Sequence, residues 1–158
     1  MKMFERLQAK KKDNKGFSLV ELIIVIAIMA ILVGVVGTQV VPYLNKSKVA
    51  KDQQLLSAFA TAAVSAYSYK ADKITSTGKL EFDFYATDGS DEEKAIREEM
   101  KTLISYATIG DLQKKMTSAD GKAANDIHIV LDQSGHSVTV SIKTHTATPN
   151  VPDAEATL

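Results

Sequence analysis

From Leu22 to Val41 the chain runs for twenty residues without a formal charge. As an α-helix at 1.5 Å per residue, such a stretch spans about 30 Å, the thickness of a bilayer's hydrocarbon core. No other feature constrains the fold as strongly, because a helix apolar on every side needs an apolar environment on every side. Gly34, Gly37, Thr38 and Gln39 weaken its second half, and Pro42 is expected to kink or interrupt the helix as it leaves the bilayer. One carboxylate, Glu21, sits at the lip of the run. A charge there costs about 2.5–3.5 kcal/mol near the membrane centre and less toward the interface, so a sequence that keeps it needs a reason.

The charges on either side are unequal. Residues 1–16 hold six basic groups (Lys2, Arg6, Lys10, Lys11, Lys12, Lys15) against Glu5 and Asp13. A basic segment ahead of an apolar stretch stays on the cytoplasmic side, so the C-terminal end of the run points outward. The whole chain has zero formal net charge, and nothing in that total suggests nucleic-acid binding. Cysteine is absent, which excludes a disulfide framework and a thiolate metal site. An exported body would be held by packing alone, and with no tryptophan its core must rest on Leu, Ile, Val and Ala.

Three arrangements begin this way. A secretory signal peptide has the same order of regions, but Val35-Val36-Gly37 is a poor cleavage site and Glu21 is unfavourable inside an apolar region. A plain membrane anchor accounts for the run and leaves its preface unexplained. That preface is Lys15-Gly16-Phe17-Ser18-Leu19-Val20-Glu21. Ser18-Leu19-Val20-Glu21 is an S-x-x-E capping box, with Glu21 returning to the Ser18 amide at the positive end of a helix dipole. Capping explains Ser18 and Glu21; it does not explain Lys15-Gly16-Phe17, the basic leader or the uncharged span.

Taken together, these residues resemble the N-terminus of type IV prepilins, a family of type IV pilins and of the pseudopilins of type II secretion and DNA-uptake machines. The resemblance covers about the first 45 residues. It implies that a membrane prepilin peptidase cuts between Gly16 and Phe17 and methylates the new amine of Phe17. Glu21 matches the family's fifth-position carboxylate. The chemistry suits the residue types, since a glycine before the cut lets the backbone enter a cleft without side-chain obstruction. The resemblance implies that in a filament Glu21 faces the cationic amine of a neighbouring subunit. Two unit charges about 4 Å apart attract by roughly 4 kcal/mol at an effective dielectric of 20, which offsets much of the desolvation of the carboxylate. The resemblance further implies a filament core made of Leu22, Ile23, Ile24, Val25, Ile26, Ile28, Ile31 and Leu32. Two departures stand out: many type IVa pilins carry a proline about four residues earlier than Pro42, and the usual disulfide-bounded loop is missing.

Beyond Pro42 the composition turns polar while Leu44, Leu55, Leu56, Phe59, Ala63, Ala66 and Tyr67 recur at helical spacing. Lys46, Lys48, Lys51 and Asp52 occupy the membrane-proximal part, where charges stay hydrated. Asp72 to Lys79 reads as loop and Leu80–Phe84 as a short half-buried strand. Asp88-Gly89 makes a turn, and Ser90-Asp91-Glu92-Glu93 opens a helix with a capping box whose buried side is Ile96, Met100, Leu103, Ile104 and Ala107. Asp111 to Met116 adds a helical turn, and Ser118 to Asn125 reads as loop. Ile127, Ile129 and Leu131, then Val138, Val140 and Ile142, alternate across a turn at Gln133–His136 as an antiparallel hairpin against Phe59, Ala63 and Tyr67.

The acidic cluster at 88–93 lacks the order of an EF-hand loop and is what a helix N-terminus attracts in any case. His128 and His145 are expected on the outer face and His136 in the turn, without a ligand spacing for metal. No catalytic set emerges, no cofactor is implied, and the chain is not expected to be an enzyme.

The expected fold class is α+β: a long N-terminal helix, transmembrane then amphipathic, packed on a small antiparallel sheet in the manner of type IV pilins. The expected divisions are a cleaved leader (1–16), a transmembrane or filament-core helix (17–41), its amphipathic continuation (42–70), a globular head (71–146) and a flexible tail (147–158). The resemblance implies a pilin subunit with other pilins, prepilin peptidase, a membrane assembly platform and the lipid bilayer as partners. It would sit single-pass in the cytoplasmic membrane, head outside, and then in an extracellular filament. A pseudopilin, or a membrane-anchored binding domain with no assembly role, is the alternative. The presence of Glu21 favours a body subunit, because tip-initiating members of the family often lack this carboxylate.

Overall fold

A computed structural model describes residues 17–145, 149 and 151–158. The chain divides into two compact units between Val41 and Pro42.

The first unit is helix α1, Leu19–Val35, followed by a π-helical turn, Val36–Val40. No residue of either element is buried. The π turn answers the problem posed by Pro42. Proline has no N–H to return to the carbonyl four residues back, and its ring crowds that carbonyl. One turn earlier the ladder slips by a residue, with the Val41 amide donating to Val36 O. Thr38 Oγ1 donates to Gly34 O at 3.1 Å within the same stretch. The interruption expected at Pro42 is therefore replaced by a wide turn before it, and the helical backbone continues to Tyr69.

The second unit takes in all of α2, Val41–Tyr69, but its first residue. Its buried stripe is Asp52, Leu56, Phe59, Ala60, Ala62, Ala63 and Ala66. Leu44, expected on that stripe, is 51% exposed. A short 3-10 turn, Ala71–Lys73, leads to β1, Lys79–Asp83. Three helices follow: α3 (Asp91–Leu103), α4 (Ile109–Lys115) and α5 (Ala119–Lys122). Strands β2 (Ala124–Asp132), β3 (Ser137–Thr144) and β4 (Ala154–Thr157) complete an antiparallel sheet in the order β1-β2-β3-β4. The expected α+β class holds: a long helix packs on a four-stranded sheet.

The register puts Ile129 opposite both Phe82 and Val140, so the apolar residues of three strands share one face. That face and the α2 stripe enclose one core, in which the Phe59 ring meets Phe84 edge-on at 5.1 Å between centroids. The β2–β3 turn is tied by Asp132 Oδ1, which accepts from the Gly135 amide at 2.8 Å and the Ser134 hydroxyl at 2.7 Å. Gly89, in the expected turn before α3, has φ +121°, a conformation open to glycine.

Several expectations need correction. The tail is not loose over its last residues: β4 pairs with β3, Val140 opposite Ala154, and Val151 and Ala154 are buried. Ala154, Ala156 and Leu158 alternate inward along it, a small-residue pattern that the two nearby prolines obscure. Ser118–Asn125 is not loop, because Ser118 caps α5 by accepting from the Gly121 amide at 3.0 Å, and β2 begins at Ala124. On α3 the buried residues are Ile96, Arg97 and Met100, whereas Leu103 and Ala107 are exposed since the helix ends at Leu103.

Candidate processing and assembly site

Ser18 is the N-cap of α1, with extended backbone at φ −62°, ψ 141°. Its amide donates to Glu21 Oε2 at 2.8 Å, the contact the capping box calls for. One turn of helix is thereby closed around the carboxylate, leaving Glu21 exposed beside the first residues of the apolar run. Phe17 lies just ahead of the cap and is 86% exposed. Gly16 and the rest of the leader lie outside the described residues.

Along α1 the eight residues expected to form the filament core are all exposed, from Val25 at 43% to Ile31 at 68%. An isolated polar helix in that condition needs no comment; an apolar one does. Each such side chain forgoes roughly 1.5–3 kcal/mol of burial in water, so α1 is written for an apolar environment supplied from outside the chain. It belongs to the one helical stretch, among the described residues, that is long and apolar enough to cross a membrane.

The carboxylate of Asp52 behaves quite differently. It is fully buried, yet every hydrogen bond it needs is supplied. Thr117 donates its amide to Oδ1 at 2.7 Å, and Ser118 donates its amide to Oδ2 at 2.8 Å and its hydroxyl to the same oxygen. The Thr117 hydroxyl lies 3.1 Å from both Asp52 Oδ1 and Lys48 O. Burial pushes the Asp52 carboxyl up, but the bonds from Ser118 and Thr117 outweigh it and hold the group below the usual carboxylate range. A Cβ on Gly121 would come within 2.8 Å of Met116 Sδ, so the turn that carries these donors must have glycine there. Asp52 staples α2 to the α4–α5 turn. The sequence reading placed it among hydrated charges and missed its phase: it lies four residues before Leu56 and seven before Phe59, on the buried stripe.

Arg97 was missed for a similar reason. It is buried, donating from Nε to Asp83 O at 3.1 Å and from Nη1 to Asp88 O at 2.8 Å, with its guanidinium 5.4 Å from the Phe82 ring centre. On the outer sheet face Asp83 accepts from Lys143 Nζ at 2.5 Å and lies 2.9 Å from His128 Nδ1. His128 thus faces outward as expected but has a carboxylate partner, whereas His136 and His145 are exposed. In the acidic cluster, Glu92 accepts from Thr75 and Ser76, whose hydrogen bonds hold its carboxyl down at about 2, and Glu93 caps Ser90. Among the described residues no three His, Cys, Asp or Glu side chains are grouped to hold a metal ion.

Comparison with family models matches residues 11–37 to the prokaryotic N-terminal methylation motif. The chain carries a prepilin-type methylation motif. The match runs from the basic leader through Gly16, Phe17 and Glu21 into the π turn, and it supports a protein of the type IV pilin or pseudopilin class. Comparisons with curated proteins and with solved structures return no match. The motif's second half is the exposed apolar helix, and the motif together with that helix is consistent with membrane anchoring.

Proposed function

We propose that the chain is a structural subunit of a type IV pilus, cut between Gly16 and Phe17, methylated at Phe17 and assembled into a surface filament through α1. Prepilin peptidase performs the processing on the cytoplasmic side, and a membrane assembly platform then extracts the mature protein with its head outside. The observation that carries this reading is an apolar helix with no buried residue, opened by a lone carboxylate and lying inside a methylation motif.

Assembly exchanges lipid for neighbouring helices around Leu22, Ile23, Ile24, Val25, Ile26, Ile28, Ile31 and Leu32. Among the described residues only Oε2 of Glu21 is engaged, by the Ser18 amide, which leaves the other oxygen to accept from the amine of an adjacent Phe17. Cutting at Gly16 creates that amine, and methylation keeps its charge. The pairing sets the register of each incoming subunit, and the chain itself needs no catalytic group for it.

Shearing cells and analysing the released material tests the proposal: filaments composed of this chain support a pilus subunit. Confinement of the mature chain to the envelope indicates instead the short filament of a secretion or DNA-uptake machine. Glu21→Ala should leave cleavage intact and sharply reduce filament yield. A wild-type yield from that variant would remove the pairing from the account.

A further inference from the structure

Just past the uncharged span, α2 carries Lys46, Lys48 and Lys51, all exposed. Elsewhere in the same unit some lysines pair with acids, as in Lys70 with Glu99 at 2.9 Å and Lys143 with Asp83 at 2.5 Å, whereas Lys73, Lys94, Lys115 and Lys122 have no such pair among the described residues. Among the described residues Lys46, Lys48 and Lys51 likewise have no hydrogen-bonding or ion-pair partner for their ammonium groups. Two of them border a groove of about 610 Å³, walled by Asn45, Lys46, Lys48 and Val49 of α2 and, across from them, by Thr117 and Asp120. Asp120 has an interaction of its own, and Val49 is half-buried, giving the groove an apolar floor beneath a cationic lip. Tyr43, 74% exposed, precedes it, a residue type that favours the membrane–water interface.

Position along the chain gives the cations a role. At 1.5 Å per residue, Lys46 and Lys48 lie about 7–10 Å beyond Val41 along α2, and Lys51 about 15 Å. The headgroup layer extends some 5–8 Å past the hydrocarbon core, and a lysine stem reaches back several ångströms to place its ammonium there. Removal of the leader takes away six basic side chains from the opposite flank. In the processed chain these three lysines are then the nearest side-chain cations to the span.

We propose that Lys46, Lys48 and Lys51, with the groove beside them, bind the phosphate-bearing headgroup of an anionic phospholipid in the outward leaflet while the chain resides in the membrane. The inference rests on the membrane-resident stage of the proposed function. It gives that stage an electrostatic hold that survives cleavage, and one that extraction into a filament must break.

The test uses the full chain reconstituted in bilayers, with spin-labelled phosphatidylglycerol and phosphatidylcholine as probes. Wild type is compared with Lys46→Gln/Lys48→Gln/Lys51→Gln and with Lys94→Gln/Lys115→Gln/Lys122→Gln, an equal loss of charge elsewhere in the head. The leader is common to all three proteins, so its cations cancel. A lysine near an anionic surface is worth up to about a five-fold preference. The juxtamembrane variant should lose at least about three-fold of the phosphatidylglycerol preference, and the control should keep it. Raising salt to about 1 M, where the screening length shrinks to roughly 3 Å, should lower the wild type to the variant's level. Equal preference in wild type and juxtamembrane variant overturns the proposal. Failure of wild type to float with neutral phosphatidylcholine vesicles instead removes the membrane-resident reading beneath it. A carbodiimide cross-link from these lysines to a second copy, insensitive to lipid charge, assigns the groove to a neighbouring chain and also overturns the headgroup.

Discussion

α1 and α2 are both helical, and they differ in where their partners come from. α1 exposes every side chain it has, and the carboxylate at its start is satisfied by one local amide. α2 buries seven residues within its own unit and supports the one carboxylate among them with donors from a distant turn. Periodicity makes the difference. An all-apolar run has no inside face and can be stabilised only by surroundings apolar on every side, whereas a striped helix selects one partner within its own chain. Glu21 and Asp52 restate the contrast in charge: among the described residues one is met by a single local amide, and the other by several donors from a distant turn.

The largest test of this contrast is truncation at the centre of each helix. Phe59→Ala empties the middle of the core and should cost about 3–5 kcal/mol in denaturant unfolding of the head. The matching change in α1, Ile28→Ala, should leave that transition where it is. A shift shared by both would mean that α1 is buried within its own chain after all.

Next comes the staple. Asp52→Ala strands buried donors from Thr117 and Ser118 and should cost roughly 2–3 kcal/mol by the same measurement. Its acid dependence has a definite sign. The folded-state pKa of Asp52 lies below its unfolded value, so the contribution is fully present above about pH 3.9 and is lost as pH falls through the lower folded value. The difference between wild type and Asp52→Ala should therefore narrow in urea melts run at successively lower pH below about 3.9. Asp126 acts in the opposite sense: burial raises its pKa, so its contribution favours the fold at low pH and fades as pH rises through that raised value. It is unchanged by the variant and cancels in the difference.

The smallest effect marks where the stripe begins. Leu44 fits the helical spacing but is exposed, and Leu44→Ala should change head stability by less than about 0.5 kcal/mol. A cost near that of a core leucine would place the start of the buried face earlier than Asp52.

The α+β class, the long helix, the β2–β3 hairpin and the capped start of α3 could all be read from the sequence, because each rests on local signals: a period of two or 3.6, or a Ser-x-x-Glu spacing. Asp52 and Arg97 could not be read by residue type, since a charge on a helix is ordinarily solvated. Phase alone marks Asp52 as inward, and the donors that make its burial tolerable are 65 and 66 residues away. β4 escaped because alanines give a weak alternation and prolines nearby argue for loop. The π turn escaped because proline announces a disturbance without saying which form it takes. In the candidate site Gly16, Phe17 and Glu21 were legible as a motif, and the carboxylate's bond to Ser18 followed from the capping spacing.

Intact-mass analysis of the mature protein, isolated from cells that make it, tests the central claim most directly. The account predicts a chain that begins at Phe17 and carries one added methyl group. A chain that begins at Met1 or near Thr38, or an unmodified amine on Phe17, would contradict it.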